Sequence, residues 1–224
     1  MSVFSWFGNR SSQSSDDPAV HRYLDHFRSA IPKHCPVRDL SFVVLDTETT
    51  GLDPAKDVLI SMACYRVIGM SMDLSDRFEC TIRREDYQPG AHTRIHGIMA
   101  KHLESGSSER EALLGFLDYI HGHILVGHHI AFDLRFLNKA LLRQFNVRLK
   151  NKSLDTAGLA SRLEKPVLEN TGTESLDALC ARYGISPLQR HTAAGDAYMT
   201  ALLFLKLLGR LDKRGVTTCR DLMR

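Results

Sequence analysis

The run LSFVVL at residues 40–45 limits the possible folds more than any other part of the sequence. An apolar run rich in β-branched residues is typical of a strand buried in the middle of a sheet. It leads directly into Asp46 and Glu48, and residues two apart on a strand project from the same face. Two neighbouring carboxylates repel each other and lose hydration, and a divalent cation offsets both costs. The pattern favours a metal site; the alternative is a surface strand end with two solvated acids.

Further strands and helices follow along the chain. Strands are predicted in VLISMACYRVI (58–68) and RFECTI (77–82), which would form an antiparallel meander with the first, and in HILVGH (123–128). Helical periodicity, with a stop at Gly184, predicts helices at residues 109–121, 132–146, 156–164, 174–183 and 193–209. A meander followed by alternating helices and strands predicts an α/β fold with a mixed sheet and helices on both faces.

The length of 224 residues suits one domain with a peripheral extension. Residues 8–17 are small and polar, which predicts a flexible linker. Residues 18–31 predict an amphipathic helix that ends at the prolines of IPKHCP. Its apolar positions are Val20, Tyr23, Leu24, Phe27 and Ile31. We therefore predict an N-terminal extension over 1–38, a main domain over 39–210 and a short basic tail over 211–224.

The five cysteines are scattered, and no two have the spacing of a zinc or redox motif. We therefore expect reduced thiols in a cytoplasmic protein. The sequence contains neither a signal peptide nor an apolar stretch of about 18 residues, so we expect no membrane partner.

The formal net charge is only +3, but the basic residues are unevenly distributed. Residues 134–154 contain six lysines and arginines and no acid, and residues 206–224 contain six against Asp212 and Asp221. Solvated helix faces would give the same pattern. Two such clusters also fit a polyanionic partner such as nucleic acid.

Two later segments carry further acids. GHHIAFD (127–133) places Asp133 in the first turn of a predicted helix, where the helix dipole alone would explain a carboxylate. HTAAGDA (191–197) places His191 in the loop before the last long helix and Asp196 one turn inside it. Small residues between the two allow close packing against another element.

The segments DTETTGL, GHHIAFD and HTAAGDA, in this order and spacing, resemble the DEDDh (DnaQ-like) 3′→5′ exonucleases. This family includes the proofreading epsilon subunit of bacterial DNA polymerase III and ribonuclease T. The resemblance covers roughly residues 40–208 and makes 39–210 an exonuclease domain. It implies a ribonuclease H-like α/β/α sandwich with a mixed five-stranded sheet, and roles in DNA replication or repair.

The resemblance also implies residue roles. The metal-binding acids would be Asp46, Glu48, Asp133 and Asp196, and the general base would be His191. The residues lining the nucleotide pocket would be Thr47, Thr49, Gly51, Leu52 (as a wedge against the base), His96, Ile98, His129 and Phe132. His129 stands where the family usually has asparagine. Two Mg²⁺ ions, with Mn²⁺ able to substitute, would support hydrolysis of single-stranded DNA or RNA 3′ ends to nucleoside 5′-monophosphates.

Other interpretations remain open from the sequence. His121, His123, His128 and His129 could suggest zinc, but structural zinc sites use regular Cys/His pairs and no second pair is apparent. A non-catalytic module that binds 3′ ends or a protein partner is the alternative from another functional class. The N-terminal extension could dock a partner. Association with a polymerase is conceivable, although residues 209–224 offer no long C-terminal tether.

Overall fold

The computed structural model describes residues 17–84, 105–163 and 174–224. Their centre is a five-stranded mixed sheet in the order β3-β2-β1-β4-β5. The strands are β1 (Ser41–Thr49), β2 (Leu59–Ile68), β3 (Ser71–Thr81), β4 (Ile124–Gly127) and β5 (Ser153–Asp155). The α/β fold class and the five-stranded mixed sheet are therefore confirmed.

The central position of β1 follows from its pairing on both sides. It runs antiparallel to β2, with Asp46 opposite Ala63, and parallel to β4, with Val44 opposite Val126. β2 and β3 complete the antiparallel meander, and β4 pairs in parallel with β5. β5 has only three residues, which is too short for a periodic pattern, and its segment was not predicted as a strand.

Six of the seven helices lie at predicted positions apart from their ends, and the last, in the segment predicted as a short basic tail, was not predicted. They are α1 (Pro18–Asp25), α2 (Glu109–Ile120), α3 (Ala131–Phe145), α4 (Thr156–Leu163), α5 (Leu176–Arg182), α6 (Ala193–Asp212) and α7 (Cys219–Leu222). The predicted stop at Gly184 follows α5, and this glycine has the positive φ of 63° that favours glycine. Among the described residues, none of the helices combines the length and apolar composition needed to cross a membrane.

The alternation of side chains along β1 divides the core into two layers. Phe42 and Val44 pack with α6, where the ring of Phe42 meets that of Phe204 edge-on at 4.9 Å. Val43 and Leu45 pack on the other face with apolar residues of α2 and α3. Helices therefore cover both faces, and the parity of a β1 residue decides which layer its side chain enters.

The predicted helix over residues 18–31 is wrong in length, because α1 ends at Asp25. After it the backbone tightens into i→i−3 turns, with Phe27 N–H donating to the Leu24 carbonyl at 3.1 Å. Phe27 still packs beside Tyr23, their ring centroids 5.1 Å apart. Ile31 packs against the opposite apolar layer, so one continuous helix could not have satisfied both contacts.

The segments at the two ends of the main domain are held to each other. Val37 N–H donates to the Thr217 carbonyl at 2.8 Å, and Cys219 N–H donates to the Cys35 carbonyl at 2.8 Å. Cys219 and Leu222 are buried in the α6 layer. The domain boundaries at 39 and 210 remain predictions, and α6 runs on to Asp212.

Candidate active site

Three carboxylates meet at the end of the central strand. Asp46, Glu48 and Asp196 each offer an oxygen, and these oxygens all lie within 4.8 Å of one another. Asp46 and Glu48 share the parity of Phe42 and Val44, so their side chains enter the layer that contains α6. Among the described residues, this is the group of acids, histidines and cysteines with spacing suited to a metal ion.

The start of α6 brings Asp196 to this point. Thr192 is the N-cap, and its Oγ1 accepts a hydrogen bond from Gly195 N–H at 3.0 Å. A Cβ on Gly195 would lie 2.1 Å from the Gln189 carbonyl oxygen. The preceding turn therefore packs directly on the first helical turn, and only glycine leaves room for it. The expected loop position of His191, with Asp196 one turn inside the helix, agrees with this geometry.

Asp133 lies beside the three acids but is held by the strand backbone. It is 4% exposed in the first turn of α3, and its Oδ1 accepts hydrogen bonds from Thr47 N–H at 3.0 Å and Thr47 Oγ1 at 2.6 Å. Thr47 has the opposite parity to Asp46, so it points to the α3 layer. The four acids predicted from the sequence thus surround the end of β1 from both layers.

Burial and neighbouring charges oppose ionisation of Asp46, Glu48 and Asp133. Burial, followed by the charges of Asp133, Asp196 and Glu48, raises the pKa of Asp46 well above its ordinary value. Burial and the neighbouring acids raise the pKa of Glu48 to about 7. Burial raises the pKa of Asp133 to about 7, although the Thr47 hydrogen bonds act against the shift. Such a cluster needs positive charge to be fully ionised near neutral pH.

A residue not predicted from the sequence supplies one positive charge. The Arg190 guanidinium donates through Nη1 to Asp196 Oδ1. Its Nε and Nη2 donate to the two carboxylate oxygens of Asp177 in α5, at 2.5 and 2.9 Å. Arg190 directly precedes His191 in the sequence, and this adjacency is the signal that could have identified it.

His191 is exposed and lies five residues before Asp196 in the sequence. It is not part of the group of acids suited to a metal ion. It has a positive φ of 61°, as does Gln189 with 45°, so the turn from Leu188 to Thr192 is tightly wound. This conformation places the imidazole at the surface, within reach of solvent. Its assignment as a general base remains a prediction.

The loop after β1 contains several of the residues predicted to receive a nucleotide. Thr49 Oγ1 donates to the Gly51 carbonyl at 2.6 Å, and a Cβ on Gly51 would meet the Asp57 carboxylate at 2.5 Å. Asp57 also accepts hydrogen bonds from Thr50 Oγ1 and Asp53 N–H, both at 2.9 Å. Asp57 was not predicted, and it organises the loop. Leu52 is 72% exposed, and its role as a wedge stays a prediction.

Other predicted pocket residues lie around β4 and α3. Phe132 stacks at a tilt on Phe136, with ring centroids 4.9 Å apart. His129 has a positive φ of 56°, and its backbone N–H donates to Asp155 Oδ1 at 3.2 Å. His96 and Ile98 lie outside the described residues.

The four clustered histidines fall into two separate pairs. His121 and His123 follow α2, with ring centroids 5.6 Å apart, and His128 and His129 follow β4, with centroids 4.2 Å apart. The Nδ1 of His128 is 2.9 Å from Thr156 Oγ1. Within the described ranges these histidines do not form a metal-suited group.

Known proteins resemble this chain in sequence and in fold. Residues 43–204 match the family model RNase_T, described as exonuclease. A DNA polymerase III subunit epsilon-like protein of Rhodobacter capsulatus is 36% identical over 186 residues, which cover 82% of this chain and 26% of the relative. A PolC-type DNA polymerase III of Thermotoga maritima is 32% identical over 184 residues, which cover 82% of this chain and 13% of the relative.

Solved structures add a fold comparison at lower sequence identity. Escherichia coli exonuclease I in complex with a dT13 oligonucleotide is similar with a TM-score of 0.65 and 19% identity, covering 79% of this chain and 42% of that chain. This likeness confirms the ribonuclease H-like α/β fold. The family assignment of this chain rests on the family model, because that model matches most of the chain. The chain therefore belongs to the RNase_T family of exonucleases, as the resemblance to DEDDh exonucleases predicted.

Proposed function

We propose that this chain is a metal-dependent 3′→5′ exonuclease that acts on single-stranded nucleic acid and releases nucleoside 5′-monophosphates. The observation that carries the proposal is the convergence of Asp46, Glu48 and Asp196 within 4.8 Å at the end of the central strand. Family membership makes a nuclease the natural use of such a cluster.

The residues fit Mg²⁺ or Mn²⁺. The donors are carboxylate oxygens, which small hard cations prefer. Burial and the neighbouring acids raise the pKa of Asp46 and Glu48, and a bound cation would offset both effects. We propose that Asp46, Glu48, Asp133 and Asp196 together hold two ions. Such ions, when bound, polarise the scissile phosphate and activate a water molecule.

Other side chains would orient a metal ligand, accept a proton and position the terminal base. Thr47 fixes the orientation of Asp133 through two hydrogen bonds. His191 would accept the proton of the attacking water, because imidazole changes protonation near neutral pH. Leu52, exposed at the loop tip, would separate the terminal base from its neighbour. The 3′ oxygen of the shortened strand would leave and take up a proton, and the attacking oxygen would stay on the released 5′-phosphate.

We further propose that the substrate is single-stranded nucleic acid. The exonuclease I of similar fold was solved with a dT13 oligonucleotide, and the acid-free basic stretch at 134–154 of this chain suits a phosphate backbone. DNA and RNA differ at the 2′-OH, so both belong in the test. The polymerase names of the relatives make a replicative polymerase a candidate partner.

The test uses 5′-labelled single-stranded DNA and RNA of equal sequence, with Mg²⁺ or with EDTA. We expect a Mg²⁺-dependent ladder that shortens from the 3′ end. Asp46→Ala and Asp196→Ala should abolish it, because each removes a proposed metal ligand. Asp73→Ala is the matched control, since Asp73 is an exposed acid on β3. Wild-type turnover in either site variant would refute the metal assignment.

His191→Ala tests the general base in the same assay. We expect the rate to fall by roughly 10² to 10⁴, the usual contribution of general base catalysis, with Mn²⁺ binding retained. His21→Ala on α1 is the control. A full-rate His191→Ala protein would assign the base elsewhere. If the wild-type protein binds 3′ ends but cleaves neither strand, the binding-module alternative replaces the proposal.

A further inference from the structure

Arg190 links the acid cluster to α5. Its Nη1 donates to Asp196, and its Nε and Nη2 form a forked pair with Asp177 at 2.5 and 2.9 Å. The Arg190 side chain is 19% exposed, against 58% for Asp177 and 12% for Asp196. One guanidinium is therefore shared between a surface acid and an acid of the candidate metal site.

The backbone around Arg190 holds it in this position. Thr192 Oγ1 donates to the Gln189 carbonyl at 2.7 Å, and Gly195 allows that carbonyl to approach the helix. The flanking Gln189 and His191 both have positive φ. The conformation of this turn thus fixes the position of the guanidinium between Asp177 and Asp196.

We propose that Arg190 is a positioning residue that competes with the metal for Asp196. In the metal-free protein, its positive charge partly neutralises the acid cluster. When a metal ion binds Asp196, Arg190 would stay bound to Asp177. This inference rests on the proposed metal site. It adds a residue that the four acids and His191 do not include, and it assigns Asp177 a role outside the cluster.

Arg190 and a bound cation would compete because they are both positive and would share Asp196 as a partner. A carboxylate oxygen engaged by a guanidinium is less available to a cation, and two positive groups beside each other repel. The Arg190 charge also lowers the pKa of Asp46 and Glu48, against the larger effect of burial. On the other side, the Arg190 hydrogen bonds hold the pKa of Asp177 below its ordinary value. Asp177 and Asp196 therefore share one guanidinium through its hydrogen bonds.

Removal of the Arg190 guanidinium and removal of the Asp177 carboxylate should have opposite effects on the affinity for a divalent cation. Without the guanidinium, Asp196 is free and the acids are uncompensated, so a divalent cation should bind more tightly. Without the Asp177 carboxylate, the Arg190 charge is neutralised by Asp196 alone, so a cation should bind more weakly. A purely structural role of the turn predicts weaker binding in both cases.

The experiment measures Mn²⁺ binding without substrate, from the electron paramagnetic resonance signal of free Mn²⁺. We expect Arg190→Met to bind roughly tenfold more tightly, the effect of one nearby charge on a carboxylate equilibrium, and Asp177→Asn to bind about threefold more weakly. Arg190→Lys should stay near wild type because it keeps the charge. In the double variant, Asp177→Asn should have no further effect on Arg190→Met.

The control is Arg110→Met, which changes net charge equally but whose partners are Asp17 and the Phe145 ring. Thermal unfolding gives a second readout: Arg190→Met should melt lower than wild type in EDTA and gain more from Mg²⁺. Weaker Mn²⁺ binding in Arg190→Met, or an Asp177→Asn effect that persists in the double variant, overturns the inference. If Arg190→Met does not fold, unchanged binding in Asp177→Asn overturns it. Absence of Mn²⁺ binding in the wild-type protein would instead overturn the proposed function.

Discussion

Glu48 shows at the scale of one residue how much the site depends on positive charge. It sits two residues after Asp46 on a strand whose other side chains are mostly buried. Burial and the charges of Asp196 and Asp133 raise its pKa to about 7. A carboxylate in this position destabilises the metal-free protein whenever it is ionised, and a bound cation would remove that cost.

Glu48→Gln tests this cost through its pH dependence. Because the folded pKa lies above the unfolded value, the folded protein binds more protons between about pH 4.5 and 7, and wild-type stability falls as pH rises through this window. In EDTA we expect the variant to be more stable than wild type by roughly 2–3 kcal/mol at pH 8. The difference should shrink below about 1 kcal/mol at pH 5.

Urea unfolding at both pH values, with EDTA and with Mg²⁺, measures the effect. Removal of the Glu48 charge also lowers the repulsion on Asp46, so the difference reports the contribution of Glu48 within the acid cluster. With Mg²⁺ at pH 8 the advantage of the variant should disappear, because the ion neutralises the wild-type cluster. A pH-independent difference would mean that Glu48 is well solvated in the folded protein.

At the scale of the element, the start of α6 sets the geometry of the site. The helix is capped by Thr192, carries Asp196 in its first turn and is approached by the Gln189 carbonyl over Gly195. The same turn presents Arg190 and His191. A displacement of this helix start would therefore move the metal ligand, the guanidinium and the imidazole together.

Gly195→Ala should strongly lower the rate of the proposed exonuclease reaction, with a smaller effect on the stability of the fold. Its Cβ would lie 2.1 Å from the Gln189 oxygen, so the turn must shift, and misplacements of about 1 Å cost roughly 10²-fold in rate. Gly209→Ala on the same helix is the matched control, because its Cβ would meet nothing closer than Met70 Cε at 3.9 Å. The control should keep full activity and gain about 0.5–1 kcal/mol in stability.

Steady-state exonuclease rates and thermal unfolding of both variants make the comparison. Equal activity of Gly195→Ala and Gly209→Ala would show that the turn can move without consequence for the site.

At the scale of the whole molecule, the segments flanking the sheet domain belong to its core. Tyr23 of α1 is buried, and its hydroxyl donates to Asn151 Oδ1 at 2.6 Å. Asn151 in turn donates to the carbonyls of His121 and His123 at 3.0 and 2.7 Å. At the other end, α7 packs under α6, and Arg162 of α4 donates to the Leu222 carbonyl at 2.7 Å.

Leu222→Ala measures what the C-terminal segment contributes. Leu222 is 0% exposed, and truncation of a buried leucine leaves a cavity and costs about 2–5 kcal/mol. Urea unfolding should report this loss, while activity well below the melting temperature should be unchanged. Met223→Ala, at a partly buried neighbour, should cost clearly less. A loss below about 1 kcal/mol would mean that the C-terminal segment contributes little to the stability of the core.

The sequence by itself determined the order of the elements and the identity of the acids. Periodicity is local: LSFVVL, the meander and the long helix after His191 are each specified by neighbouring residues. The strand parity of Asp46 and Glu48 predicted a shared face, and the structure places both beside Asp196. Family motifs added Asp133 and the five-stranded sheet.

Only the tertiary structure decided which distant groups meet. The bonds from Thr47 to Asp133, and from Arg190 to Asp177 and Asp196, join residues on different elements, and no local periodicity encodes them. The three-residue β5 forms because β4 offers a parallel edge, and α1 ends at Asp25 because Phe27 and Ile31 pack in different layers. Burial, which sets the pKa of the acids, is likewise a property of the assembled layers, because it depends on what the fold places around each carboxylate.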